Sequence, residues 1–308
     1  MTVTDRSGRL STPARPVRHA ALATALVLTV CAVIGGFSAV SYEKTTTTLS
    51  ALTARATGTV TGAANGAAVV EWTAPNGRHR LTVPVTGAVP NPGTGTQIAY
   101  NPADPAQAII PGAAVLTDAD RSRDGIVFAA LVAALVLLTD GWLLATRRRA
   151  AGRAAHDLVV RRISLRRGLL ARTWLETDDA RWIPVYFDPA VLTLPAPSTV
   201  RAHGDRLIAV EIPGALLYPS GRVRRVEPPG RRTDSPAQPD AYTATRAATA
   251  ARWRHQLRVD AALLVPAPLI GLLWTYLDDG GPAGWLAATA LAAAAALWWA
   301  AIRGSDPC

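Results

Sequence analysis

The sequence predicts an α+β membrane protein: four transmembrane helices, a small antiparallel β-module outside and a small SH3/OB-like β-barrel inside. Three observations carry that reading. Windows 20–42, 125–146, 257–277 and 282–302 are apolar over about the 20 residues that a helix needs to cross the hydrocarbon core. Segment 43–124 from Arg55 onward, and segment 147–227 from Leu169 onward after a basic stretch, are patterned as short β-branched runs between Gly, Pro and Asn turns. Arginine is distributed unevenly between the segments, which orients the spans. The chain of 308 residues is 49% hydrophobic yet carries a formal charge of +10, so the apolar residues must be concentrated. Lys44 is the one lysine among 32 basic residues. It follows no Gly-rich loop, which excludes a P-loop, and its Thr-rich surroundings suit no Schiff base.

The N-terminal stretch 1–19 is basic, with four arginines against one aspartate. The first span, Ala20–Tyr42, contains no charge. A cleaved signal peptide is the alternative, with Ser38-Ala39 near the end of the span. Its apolar run is longer than the 7–15 residues usual for such a segment. A lipoprotein reading at Cys31 lacks the small residue expected before the cysteine.

Residues 43–52 read as a polar, helical or extended neck to the external segment. Thr57–Thr61 and Ala67–Thr73 read as strands joined by Ala63-Ala64-Asn65-Gly66. Ala74-Pro75-Asn76-Gly77 is a hairpin signal returning along Arg78–Val85. Thr96–Tyr100, the rigid turn Asn101-Pro102-Ala103-Asp104-Pro105, and Ala108–Ile110 complete about five strands. A module this small calls for support from the membrane or a partner.

The runs Ala54–Val60, Val70–Arg78 and Ile98–Ala108, with the ending Tyr100-Asn101-Pro102-Ala103-Asp104-Pro105, resemble an uncharacterised bacterial family, domain of unknown function family 3592. The resemblance covers residues 54–110. It implies a β-module flanked by transmembrane helices and brings no established activity. The Pro-rich stretch Gly87–Gly95 departs from the family pattern, where a hydrophobic lead into the last strands is expected.

The second span, Gly125–Thr146, holds one acid, Asp140, and Arg147-Arg148-Arg149 follow it directly. An ionisable residue at that depth is a candidate functional group by default. Two readings stand: a structural polar contact within the bundle, or a relay for an ion or proton. Segment 147–256 carries 20 arginines and 10 acids. Arg147, Arg148, Arg149, Arg153, Arg161, Arg162, Arg166 and Arg167 are candidate contacts to anionic lipid, each gaining on the order of 1 kcal/mol near such a leaflet. Nucleic-acid binding is the rival account of a basic segment. It is not expected, because Trp174, Trp182 and Tyr186 read equally well as core.

Strands are expected at Leu170–Leu175, Arg181–Phe187, Leu207–Ile212, Leu216–Tyr218 and Arg222–Val226. Phe187-Asp188-Pro189-Ala190 echoes Tyr100-Asn101-Pro102-Ala103, by shared turn chemistry or by duplication. Pro228–Pro239 reads as a linker without a core. Asp240 then caps a juxtamembrane helix running through Leu257. In the third span Pro266 and Pro268 remove backbone donors and bend the helix. The loop 278–281 joins it tightly to the Ala-rich fourth span, followed by a tail at 303–308.

Positive residues stay on the cytoplasmic side. The N-terminus, 147–256 and the tail are therefore expected inside, with 43–124 and 278–281 outside, in a bacterial inner (cell) membrane. No catalytic residue, cofactor or metal ligand is expected. His19, His79, His156, His203 and His255 are scattered, and there is no CxxC, GxSxG or GxGxxG. The function expected is a non-catalytic scaffold, sensor or accessory subunit. Its expected partners are the bilayer, anionic lipid at the inner face, and a membrane or envelope protein. A transport component using Asp140 and the kinked third span is the alternative, and an enzyme ranks third.

Overall fold

The computed structural model describes residues 15–278 and 280–308. Arg6 and Arg9 of the basic N-terminus, and Asp279 of the 278–281 loop, lie outside them. Among the described residues the fold is α+β, with six α-helices and two curled antiparallel sheets. Three helices are long and apolar enough to cross a membrane: α1 (Arg15–Ser50), α2 (Ala114–Ala151) and α6 (Gly281–Arg303). Phe37, Leu131, Leu135 and Leu138 lie exposed along α1 and α2. An apolar surface of that kind needs a non-aqueous cover.

Both α1 and α2 exceed their predicted spans. The neck after Tyr42 is helical because Thr45, Thr46, Thr47 and Thr48 each donate to the carbonyl four residues earlier, at 2.8–3.0 Å. A polar helix thus satisfies its own hydroxyls. Residues 114–124, expected within the first β-module, form the opening turns of α2. The predicted third span is broken: Arg254–Leu264 and Ala267–Asp278 are bent by 40° relative to one another. Pro266 lies at the break and Pro268 in the first turn of α5 (Ala267–Asp278), where a missing backbone donor is tolerated. Trp285 Nε1 donates to Pro268 O at 3.1 Å, joining α5 to α6 as the expected hairpin.

The chain divides into two compact units, Cys31–Val132 and the described residues on either side of it. In Cys31–Val132 the sheet order is β3-β2-β1-β4-β5. Its strands are β1 (Ala54–Ala64), β2 (Ala67–Ala74), β3 (Gly77–Pro84), β4 (Gly95–Tyr100) and β5 (Ala108–Ile109), close to the predicted ones. Asn65 and Gly66 both have positive φ, 52° and 74°, the conformation of a tight hairpin turn. Val60, Val70, Trp72, Val83, Ile98 and Tyr100 are buried at alternating positions, and they form one apolar face. At Gly58 a Cβ would lie 2.3 Å from Ile98 Cδ1 and 2.6 Å from Glu71 O, so only glycine allows β2 to pair there.

In the other unit the sheet runs β11-β10-β9-β6-β7-β8, with β12 beside β6. Strand β6 (Ala155–Arg167) is the spine. Its first half pairs with β9 (Ser198–His203), and its second half pairs with β7 (Leu170–Thr177) and β12 (Arg231–Asp234). Strands β8 (Trp182–Val185), β10 (Ala209–Ile212) and β11 (Ala215–Leu217) complete it. Three expectations are corrected here. The arginine-rich stretch before Leu169 is largely strand, since both of its faces bury apolar residues, Val160 on one and Ile163 and Leu165 on the other. Pro228–Pro239 contains β12, paired with β6, and so is structured. Of the strand expected at Arg222–Val226 only a single bridge forms, between Arg224 and Trp182.

Two cores flank this sheet. Val160, Leu175, Ile183, Val185, Phe187 and Val210 pack with Ala247 and Ala250 of α3 (Ala241–Ala250). Ile163, Leu165, Trp174 and Trp182 form the other. Its indoles are overlaid by arginines, Arg172 and Arg224 on Trp174 and Arg232 on Trp182, at 5.2–5.7 Å, an arrangement that favours the charge. Asp240 caps α3 as expected, accepting from Thr243 N and Oγ1 at 2.7 Å each. The predicted helix through Leu257 is nevertheless interrupted at Ala251–Arg252, and α4 (Trp253–Asp260) follows. The echoed motifs share one device: Asn101 Oδ1 accepts from Ala103 N and Asp188 Oδ1 from Ala190 N, each at 3.0 Å, turns made by side chains.

Candidate functional site

The last carbonyls of a helix have no partner within it and carry partial negative charge. At the end of α6 the second sheet and α2 supply donors. Tyr186 Oη donates to Ile302 O at 2.6 Å, Arg147 Nη2 to the same oxygen at 3.4 Å, and Arg172 Nε to Arg303 O at 2.9 Å. Arg147 also donates to Pro219 O at 3.0 Å and lies 4.5 Å over the Tyr186 ring. Burial lowers the Arg147 pKa and pushes the Tyr186 hydroxyl up to about 12. For Arg172, burial and then the neighbouring Arg303 and Arg224 bring the pKa down to about 10. At neutral pH both guanidiniums stay charged and the phenol stays a donor.

Gly304 then turns the chain with φ +75°. A Cβ there would meet Ser220 Cβ at 3.0 Å and Tyr186 Cδ1 at 3.1 Å. Residues 305–308 enter the sheet through a bridge from Ser305 to Arg172 and a bond from Asp306 N to Ala171 O at 2.9 Å. Asp306 is 0% exposed. Its carboxylate accepts from Arg162 Nη2 at 2.9 Å, Thr173 Oγ1 at 2.8 Å and the Cys308 amide at 2.9 Å. Arg162, 5% exposed, also donates to Ser235 Oγ at 3.2 Å. This is a buried, hydrogen-bonded ion pair, the form in which a charge is tolerated away from water.

A second buried carboxylate, Asp260 at the end of α4, adjoins the first group. Gln256 Nε2 donates to it at 2.9 Å and Ser305 Oγ also donates to it, while His19 Nε2 lies 3.4 Å away. Arg15 Nη2 donates to Ala250 O at 2.6 Å and Gln256 Oε1 at 3.3 Å. The first turns of α1, the end of α4 and the tail after α6 thus share one polar network. Sequence reading missed Asp260, Ser305 and Asp306. The one available signal was Gly304 placed just after a helix that ends in arginine.

Asp140, half-buried on α2, accepts from the Thr24 hydroxyl of α1 and from Trp298 Nε1 of α6, the latter at 3.2 and 3.3 Å to its two oxygens. It borders a cleft of about 610 Å³ with largely apolar walls that ends at Arg147 and Arg148.

The eight sequence-predicted arginines part company. Arg148, Arg149, Arg153, Arg161, Arg166 and Arg167 are exposed, with Arg161 3.5 Å from Glu176. Arg147 is committed to the end of α6. Arg162, expected at lipid, is instead turned inward to Asp306, because alternation along β6 places it on the covered face. Cys31 and Cys308 are free thiols, and among the described residues no cluster of His, Cys, Asp or Glu has metal-ligand geometry. No protein family model, curated protein or solved structure matches this chain.

Proposed function

We propose that this chain is a multi-pass protein of the bacterial inner membrane with a non-catalytic role, a scaffold, sensor or accessory subunit. In this reading the bent pair α4–α5 counts as the third of four spans. The first β-module, flanked by spans as the resemblance of residues 54–110 also implies, lies outside by the distribution of arginine. The second, taken as an SH3/OB-like barrel, lies inside against anionic lipid through Arg148, Arg149, Arg153, Arg161 and Arg167. The observation that carries the proposal is the joint at the end of α6. A membrane-length helix whose carbonyls and following residues are held by the second sheet passes displacement to that sheet as one body. Such rigidity suits a scaffold or sensor that binds a membrane or envelope protein.

The alternative, a transport component, is favoured by the cleft beside Asp140. Against it, both oxygens of Asp140 already accept hydrogen bonds from Thr24 and Trp298, which is the pattern of a structural contact. The discriminating experiment is reconstitution of the full chain in liposomes with proton- and cation-sensitive dyes. No flux above empty vesicles is expected, for the wild type or for Asp140→Asn. A flux that Asp140→Asn abolishes, with the variant folded, would establish transport instead. Sidedness is tested in intact spheroplasts with a membrane-impermeant maleimide, which should label Asn76→Cys and leave Asp178→Cys unlabelled, both in a Cys308→Ser background.

A further inference from the structure

We propose that the face of the second sheet enclosed by β12, α3 and α4 is a binding site for a phosphate-bearing anion. This goes beyond the scaffold reading and does not depend on it.

Side chains alternate along strands, so Arg162, Ser164 and Arg166 share one face of β6, and Arg231, Thr233 and Ser235 continue that face along β12. The register puts Arg231 opposite Arg166 and Thr233 opposite Ser164, while Ser235 N reaches Arg162 O at 3.3 Å. The floor is therefore one row of paired guanidiniums, one row of paired hydroxyls, and the buried Arg162. Like charges placed directly opposite across strands repel. Gly230, with a Cβ position only 2.9 Å from Arg166 O, lets β12 close in and create that opposition.

Nothing in the surroundings neutralises it. Arg246 of α3 and Arg258 of α4 line the same pocket, whose volume is about 650 Å³. Among the described residues, none of Arg166, Arg231, Arg246 and Arg258 has an ion-pair partner. Of the three acids at the rim, none reaches these four guanidiniums. Asp234 binds Arg232 at 2.6 Å, Asp240 caps α3, and Asp306 holds Arg162. In addition Arg162 Nε, on a residue 5% exposed, is a buried donor without a hydrogen-bond partner. A buried N–H left unmatched is unfavourable, and a bound anion would remove both that cost and the repulsion.

Guanidinium forks pair bidentately with carboxylate and phosphate oxygens, and four unpaired guanidiniums with hydroxyl donors between them suit the several oxygens and higher charge of a phosphate group. The pocket rim includes Val259 and Ala262, at the approach to apolar α5. The phosphate could therefore belong to a lipid headgroup or to a free soluble anion.

The test uses the full chain in nanodiscs of neutral phosphatidylcholine. Inorganic pyrophosphate is titrated by calorimetry, and retention of phosphatidylglycerol is followed by native mass spectrometry. Saturable one-to-one binding is expected for at least one probe. Arg231→Gln and Arg246→Gln should each weaken it by about tenfold or more, the factor carried by one charge-assisted hydrogen bond. Arg246 is exposed on a helix, so its variant keeps the test valid should Arg231→Gln disturb the sheet. Arg78→Gln, exposed on β3 of the first sheet, should leave binding unchanged. Binding of pyrophosphate identifies a soluble ligand, and retention of phosphatidylglycerol alone identifies a headgroup. Failure of both probes to bind saturably, or equal binding by wild type and both variants, overturns the proposal.

Discussion

Replacing Asp306 by alanine removes the acceptor for Arg162, Thr173 and the Cys308 amide together. The bonds lost are 2.9, 2.8 and 2.9 Å long, the first two buried and the third part-buried. The dominant cost is the Arg162 guanidinium, which stays buried without its counter-charge. Breaking one side of such a pair destabilises by about 3–5 kcal/mol. For a unit of this size each kcal/mol shifts the melting temperature by roughly 2–4 °C, so Asp306→Ala should melt on the order of 10 °C lower. The assay is thermal unfolding of the purified chain in detergent, followed by intrinsic tryptophan fluorescence, because Trp174 and Trp182 lie in the adjoining core. The double variant Asp306→Leu with Arg162→Met removes both charges and should regain more than half of the loss. A single variant that melts with the wild type, or a double variant no more stable than the single, would refute the reasoning.

Gly304→Ala forces a Cβ into the left-handed conformation and against Ser220 and Tyr186. It should cost about 1–3 kcal/mol, read as a lower melting temperature in the same assay. Gly58→Val meets Ile98 and the Glu71 carbonyl at distances no side chain tolerates. Limited proteolysis should then cut within 54–110 while 155–234 stays protected. The Cys308 thiol is pushed up to about 11, first by burial and then by the Asp306 carboxylate. It should therefore be a thiol at neutral pH, and its alkylation rate should keep rising toward pH 11. A rate that levels off near the ordinary value of about 8.5 would contradict that environment.

How much of this was legible follows from the range of the forces involved. The hairpin turns at Asn65-Gly66 and Pro75–Gly77 and the alternation along β2 and β3 are local, and the strands lie close to where those residues predict. The cap at Asp240 and the bend at Pro266 are equally local. Helix α1 runs on past the predicted span because the Thr-rich neck satisfies its own hydroxyls, which hydropathy does not register. Strand β12 was hidden because its residues, Arg231 to Asp234, have no apolar face, and its pairing depends on β6, about 70 residues away. Arg162 read as one more surface arginine because its partner, Asp306, lies 144 positions later. Asp140 was visible as an acid in an apolar window, but its donors on α1 and α6 are set by helix packing alone.

Synthesis proceeds from the N-terminus, so β6 and β7 emerge well before residues 304–308. Until that tail arrives, Arg162 and Thr173 line a slot with no carboxylate in it, and the sheet holds a charge it cannot comfortably cover. Formation of α6 and placement of the residues after it therefore have to precede completion of the sheet. A molecule in which residues 304–308 failed to dock would keep an open slot beside β7, with the Arg162 guanidinium left without its counter-charge.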